Sequence, residues 1–319
     1  MPARFTVPGL GTNSVLPLKK HQWQIDVGYR HLHANEWYAG TDRHQSSAPF
    51  GQPVNVIVNS VDLSVDYGVT DRFSLTLTLP FSYGTQSRFY ADLMRHQVSA
   101  GGLGDISLMG NLWLFNPASH PNGNLQLGLG MKTASGNNAV TDDYFLANGS
   151  ATQQPVDQSI QLGDGGWGVM FQAQGYQKIS NHVSGYGFGW YLLSPKDTSN
   201  VISSYAGVPW SVPDVYSARA GLAFAVSPKQ GFSVSFGPRI DGIPIRDLAG
   251  DSDGFRRPGY SFYLDPGMSL SRGRNTFSLN VPVRVYQDFQ RSLVDMQLGK
   301  PGGGDLARTL IFAGYSVRF

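Results

Sequence analysis

The chain predicts an all-β protein, a transmembrane antiparallel up-and-down β-barrel of twelve strands, on three observations. Apolar and polar residues alternate with period two along a dozen segments. The connections between those segments alternate between short turns and long polar loops. Only 14% of the 319 residues are charged and 12% are aromatic, yet no apolar run approaches the roughly 20 residues that a membrane helix requires. A barrel produces this combination because alternate residues face lipid and lumen. Their hydropathies then cancel, and the mean hydropathy is slightly negative.

In chain order the segments span 21–34, 54–68, 72–85, 101–116, 123–135, 165–178, 183–195, 213–227, 231–245, 257–271, 274–288 and 306–319. Most are longer than the soluble-strand mode of about 5–6 residues. The third is the clearest: Phe73, Leu75, Leu77, Leu79 and Phe81 share one face, and Ser74, Thr76 and Thr78 the other. The second places Ile57, Val61, Leu63, Val65 and Tyr67 opposite Ser60, Asp62, Ser64 and Asp66. Two carboxylates on one strand face are rejected by lipid and accepted by a wet lumen. The last segment places Ile311, Ala313, Tyr315, Val317 and Phe319 on one face. It resembles the C-terminal strand signature of bacterial outer-membrane proteins, which implies recognition by the barrel assembly machinery through the strand ending in Phe319.

Short connections carry turn chemistry, as in Gly68-Val69-Thr70-Asp71, Asn116–Asn124, Ser180-Asn181-His182, Pro228-Lys229-Gln230 and Arg272-Gly273-Arg274. Long polar stretches lie at about 35–53, 86–100, 136–164, 196–212, 246–256 and 289–305. This asymmetry predicts short periplasmic turns, long extracellular loops, a bacterial outer-membrane location and both termini in the periplasm. One domain, 21–319, forms the barrel; residues 1–20 form either a periplasmic tail or a lumen plug. Met1-Pro2-Ala3-Arg4 lacks the apolar core of a signal peptide, so an exported barrel implies a mature form behind a start Met. No internal repeat beyond the hairpin rhythm argues for a propeller.

Aromatic residues cluster at strand ends. Trp23, Tyr67, Phe73, Phe232, Phe277 and Phe319 fall outward near one rim, and Phe81, Tyr83, Trp167 and Tyr216 near the other. Interfacial depth favours such rings, whereas strand propensity alone explains their number but not their clustering.

With the lipid face so assigned, the lumen receives Asp26, Arg30, Asp62, Asp66, Asp105, Lys132, Lys178, Arg219, Arg239, Asp241, Asp265, Arg284 and Arg318. Both signs are present, so a strongly one-signed filter is excluded. These charges either line a polar pore, where a pair such as Arg239 and Asp265 tunes selectivity, or fill a narrow interior with ion pairs. Twelve strands lie between the filled eight-stranded and open sixteen-stranded limits.

No cysteine is present, which removes disulfides, thiolate metal sites and cysteine nucleophiles. A net charge of +2 argues against a nucleic-acid partner. His31 and His33 share a strand face near Glu36, a spacing that a metal could use, but no fuller ligand set or cofactor motif accompanies them. Gly250-Asp251-Ser252-Asp253-Gly254 reads as a turn, because the later glutamate of a calcium loop is missing. Gly163-Asp164-Gly165-Gly166 precedes no helix pattern and so is no phosphate cradle. No Gly-x-Ser-x-Gly elbow or His-Glu-x-x-His motif is present, and the expectation is a non-enzyme.

Tyr67-Gly68-Val69-Thr70-Asp71-Arg72, the strand into Leu79-Pro80-Phe81, and Gly102-Leu103-Gly104-Asp105-Ile106 together resemble the outer-membrane proteins of the phenol meta-degradation transporter family. Leu127-Gly128-Leu129-Gly130-Met131-Lys132, ending at Gly136, lies where that family has a lysine-apolar-proline-threonine-glycine run. Here Thr133 and Ala134 replace the apolar residue and the proline. The resemblance covers most of the chain from Trp23 onward. It implies a channel for passive uptake of small, often aromatic or apolar, molecules across the outer membrane. Its partners are then outer-membrane lipid, lipopolysaccharide and a small-molecule solute. The alternatives are a structural or partner-enclosing barrel without transport, and an outer-membrane lipid hydrolase.

Overall fold

The structure, a computed structural model, describes residues 17–44 and 53–319. Its main sheet closes on itself. Sixteen hydrogen-bonded segments form the wall, and four strands are each interrupted once, which makes twelve antiparallel strands. They are β1 (Trp23–Ala34), β2 (Asn55–Gly68), β3 (Phe73–Phe89), β4 (Arg95–Leu103 and Ser107–Trp113), β5 (Gly123–Lys132) and β6 (Gly168–Lys178). The circuit continues with β7 (Val183–Leu193), β8 (Val215–Ser227), β9 (Phe232–Phe236 and Pro238–Ile243), β10 (Gly259–Leu264 and Gly267–Arg272), β11 (Asn275–Asn280 and Val283–Phe289) and β12 (Leu310–Arg318).

Each strand pairs with its sequence neighbours, and β12 closes on β1 from Gln24↔Arg318 to Leu32↔Leu310. Closure leaves no edge in the wall, so every strand can satisfy its backbone groups within the bilayer. Among the described residues no helix is long and apolar enough to cross a membrane.

Alternation sorts the side chains as the period-two pattern predicts. Along β5, Leu125, Leu127, Leu129 and Met131 are exposed outward, while Asn124, Gln126 and Lys132 are buried inward. Leu75, Leu77, Leu108, Phe171, Leu222 and Phe236 continue this outward apolar belt. Trp23 packs on Tyr67 with ring centroids 4.5 Å apart, and Phe277 on Tyr315 at 4.9 Å, at the short-turn end. These rings form the girdle expected at a membrane interface.

Two differences from the sequence reading concern β3 and β4. Both run farther than expected, β3 to Phe89 and β4 from Arg95. Arg88, Arg95 and His96 lie in this extension, and a hairpin projecting beyond the bilayer needs no apolar face, so its alternation fades. The four interruptions also have local causes. In β4, Gly104, Asp105 and Ile106 stand opposite only Leu79 and Pro80, a bulge. Pro266 in β10 and Pro282 in β11 have no N–H to give to the ladder. At Gly237 in β9 an added Cβ would lie 1.9 Å from the Ala220 carbonyl oxygen.

The long loops fold back over and into the barrel. Leu32, Ala34, Val58, Val98, Ala100, Leu310 and Phe312 from the inner wall form one buried cluster with Val156, Ile160, Leu306 and Ala307 from two loops. The long-loop half is thus packed, while the short-turn half holds open space. A short helix, α1 (Leu293–Gln297), is capped by Ser292 and Asp295 in a reciprocal capping box. Of the segment 1–20 only residues 17–20 are described; residues 1–16, read as tail or plug, lie outside the described residues.

Candidate functional site: the barrel lumen

A cavity of about 330 Å³ occupies the short-turn half of the lumen. Inward residues of β1 to β7, β11 and β12 line it, with Pro17 and Leu18 also on the lining. Ser64, Ser74, Thr76, Thr78, Ser82 and Ser278 supply hydroxyls, and Gln24, Asn111, Gln126, Gln172 and Gln174 supply amides. Met109, Met170, Trp113, Trp190, Leu192 and Phe312 supply apolar surface. The polar residues follow from the pattern, because inward positions of a membrane barrel are spared contact with lipid.

Charges facing the cavity come in satisfied groups. Arg30 on β1 holds Asp62 on β2 through Nε at 2.8 Å and Nη2 at 2.9 Å, with both side chains buried. Lys132, at the end of β5, donates to Asp105 at 2.9 Å, to Asp164 at 2.8 Å and to the Gly166 carbonyl at 2.6 Å. That one ammonium joins the bulge of β4 to the returning loop. Asp105 also accepts from the Gly136 amide at 2.9 Å. Nearer the short turns, Gln24 donates to both Asp26 oxygens at 2.9 Å, and the Ser316 hydroxyl donates to Asp26. The Thr76 hydroxyl donates to Asp66, and Arg318 donates to Gln24 at 2.7 Å.

The remaining charges lie outside this cavity. Arg239 takes Asp241 in a bidentate grip at 2.8 and 3.0 Å and stacks over Phe312 at 4.7 Å. Asp265 pairs with Arg219 at 3.4 Å and accepts from Asn280 at 3.0 Å. The expected pairing of Arg239 with Asp265 is therefore replaced by two separate pairs. Arg239 and Asp241 sit two residues apart on one strand face, close enough for the guanidinium to fold onto its own strand. Arg284 pairs with Asp305 at 3.0 Å and with Glu36, both on loops. Lys178 has inward parity but lies exposed at the short-turn end of β6.

A loop segment seals the cavity toward the long-loop end. Ile160 and Leu162 reach the wall where β3 and β4 carry glycines. A Cβ at Gly84 would lie 2.9 Å from Ile160, and one at Gly102 would lie 3.0 Å from Leu162. Gln158 donates to the Ser211 carbonyl at 2.8 Å, and Gln161 to the Val156 carbonyl at 3.0 Å. Asp157 is held by Arg257, whose guanidinium also lies 5.1 Å from the Trp210 ring and 5.7 Å from that of Phe255. Burial works against ionisation of Asp157, but the Arg257 charge and hydrogen bonds override it and hold the carboxyl well below the usual range.

The other flagged groups do not assemble a site. His31 and His33 bond Asn59 at 2.9 Å and Asn55 at 2.7 Å, while Glu36 turns to Arg284. Among the described residues no group of three potential ligands converges on a metal position. In the 250–254 turn the amides of Asp251 and Ser252 donate to Asp197, at 2.7 and 3.2 Å. Asp157 and Asp305 were not singled out from the sequence, and Glu36 and Asp164 were weighed only for a metal and a phosphate; in the structure all four are loop carboxylates that complete ion pairs. Inward glycines such as Gly84 and Gly102 were the available signal that something approaches the wall.

No protein-family model matches the chain, and no curated protein matches it in sequence. Solved structures do match in fold. The chain resembles an outer-membrane channel from Pseudomonas putida F1, with 14% identity over 96% of this chain and 98% of that one, at a TM-score of 0.65. A FadL homologue of Pseudomonas aeruginosa aligns at 11% identity over 100% and 94% of the two chains, with a TM-score of 0.48. The toluene transporter TodX of P. putida aligns at 8% identity over 95% and 91%, with a TM-score of 0.46.

Proposed function

We propose that the protein is an outer-membrane channel for passive uptake of small neutral molecules, aromatic or otherwise apolar in part. One observation carries this reading: the barrel encloses a cavity of about 330 Å³ whose wall mixes hydroxyls and amides with thioethers, indoles and leucine. That volume lies at the lower end of small-molecule sites. A ring can pack on Met109, Met170 and Trp190 while a polar substituent bonds Ser, Thr or Gln. Ion pairs and hydrogen bonds occupy the charged groups there, so the pore offers no one-signed ring to draw ions. The resemblance to the phenol meta-degradation transporter family and the fold shared with an outer-membrane channel support the same reading. Passage from the loop side requires the 156–162 segment to yield.

The test is permeation. Reconstituted into lipopolysaccharide-containing vesicles, the protein is expected to speed entry of small neutral solutes over empty vesicles, with phenols favoured over sugars of equal size. No increase, from a sample shown to be folded by a heat-dependent gel shift, removes the reading. A lipid-hydrolysis assay on that sample then separates a structural barrel from a hydrolase.

A further inference from the structure

We infer that the short-turn end of the barrel is a docking ring for the head groups of anionic phospholipids in the leaflet it occupies. Lys19 and Lys20 precede β1, Arg72 lies in the β2–β3 turn, Lys178 ends β6, Lys229 lies in the β8–β9 turn, and Arg272 and Arg274 flank the β10–β11 turn. All seven are exposed. Five of the six gaps around this rim thus carry a lysine or arginine; only the β4–β5 turn does not. The side-chain carboxylate among them is Asp71, whose oxygen accepts from the Lys20 amide at 2.9 Å. The C-terminal carboxylate of Phe319 shares this end. None of the seven enters an ion pair among the described residues, although the Arg72 guanidinium donates to the Trp113 and Leu114 carbonyls at 3.0 and 2.6 Å. The eleven ion pairs among the described residues all lie in the lumen or among the loops. Seven cations against Asp71 leave this rim at +6 in side-chain charge. The whole chain is +2, so everything else is net −4.

The shape of the charge selects the occupant. A protein or a single small anion meets a patch, but here the cations are spread around the barrel circumference. A bilayer leaflet surrounds a barrel in the same way. Exposed outward rings lie immediately inside the cations: Trp23 at 49% exposure, Phe277 at 52% and Phe319 at 58%. Such rings mark the level where acyl chains give way to head groups. Lysine and arginine stems can lie along that apolar surface while their charges reach phosphate. Each basic residue near an anionic leaflet is attracted to it, and the attraction is screened by salt. The inference needs the barrel to sit in a membrane but does not need it to transport.

Trp23 provides the probe. In nanodiscs holding the Trp167→Phe protein, quenching by brominated phosphatidylglycerol is compared with quenching by brominated phosphatidylcholine. The expected result is a relative association constant for phosphatidylglycerol of about 3 or more at low salt, falling toward unity in 0.5 M NaCl. Replacing Lys20, Arg72, Lys178, Lys229, Arg272 and Arg274 by Gln should bring it near unity, and Arg246→Gln with Arg308→Gln at the loop end should leave it unchanged. If the six-fold variant does not fold, Arg272→Gln with Arg274→Gln should still lower the preference. A native value near unity, as a protein or polysaccharide partner would give, overturns the inference. So does an equal loss in the loop-end control.

Discussion

Arg257 grips both carboxylate oxygens of Asp157, at 3.1 and 2.9 Å, across a hundred residues of chain. The pair ties the segment that seals the lumen to the loop before β10, and its guanidinium rests among the Trp210 and Phe255 rings. The seal is thus anchored from above by charge and from the side by Ile160 against the wall.

Cutting that anchor should loosen the seal without unfolding the wall. Removing one partner of a largely buried pair costs about 3–5 kcal/mol when the other is left uncompensated. Asp157→Asn should therefore raise amide hydrogen exchange across 156–164 and increase permeation, while the heat-dependent gel shift stays as in the wild type. Unchanged exchange in that segment would show that the pair does not hold it.

Crowding the segment from the wall should act in the same direction. Gly84→Ala places a methyl 2.9 Å from Ile160 and 3.3 Å from Val58. The expected cost is about 1–3 kcal/mol, and adding Ile160→Ala should recover part of it. If the double variant is no more stable than Gly84→Ala alone, the two residues do not meet.

The outer belt should refuse charge that the inner wall tolerates. Leu77→Arg and Leu127→Arg are expected to cost about 2–4 kcal/mol at mid-bilayer depth, measured as urea midpoints in lipid vesicles. Ser74→Arg, facing the cavity, should cost less. Equal penalties on both faces would contradict the assignment of an inner and an outer surface.

Two loop carboxylates should titrate in opposite senses. Burial lifts the Asp305 carboxyl to about 6, against the pull of the Glu36 amide and of Arg284. A carboxyl raised on folding stabilises the fold below its unfolded value, and that contribution is lost as pH rises through about 6. Asp305→Asn should flatten the stability profile between pH 4 and 7, as read from unfolding midpoints. Asp157 is depressed instead, so its contribution is present above about pH 4 and is lost only in strong acid. Asp157→Asn should then cost nearly the same at pH 5 and pH 8, as judged from unfolding midpoints. A cost that disappears by pH 5 would contradict the depressed carboxyl.

The wall was legible because lipid imposes the same demand on every second residue. Leu75, Leu77 and Leu127 announce their orientation without any knowledge of their neighbours. Beyond the bilayer that demand ends, and so Arg88 and His96 read as loop although they lie in strands. The inward parity of Arg30, Asp62 and Lys132 was equally readable. Their chemistry was only partly so, because parity gives a direction and not a partner. Asp164 reaches Lys132 from a loop 32 residues away, and Asp305 reaches Arg284 from one 21 residues away. No period relates a loop to the strand it closes upon. Arg239 had two carboxylates of suitable parity available, and the choice of Asp241 over Asp265 depends on side-chain geometry.

The seam between β1 and β12 makes assembly conditional. Asp26 and Ser316 meet there across a sequence separation of 290, so the contact that completes the cylinder is also among the most distant along the chain. Until the last strand arrives, β1 and β11 each present a row of unmatched amides and carbonyls, which hydrocarbon penalises by several kcal/mol apiece. Bringing such remote segments together is slow, since the loss of chain entropy precedes the reward. Once closed, the cylinder has no free edge from which to unzip, and one whole strand pairing must rupture before it can open. The same ladder that delays insertion should therefore give the inserted protein a long lifetime, governed by the rate of one rupture.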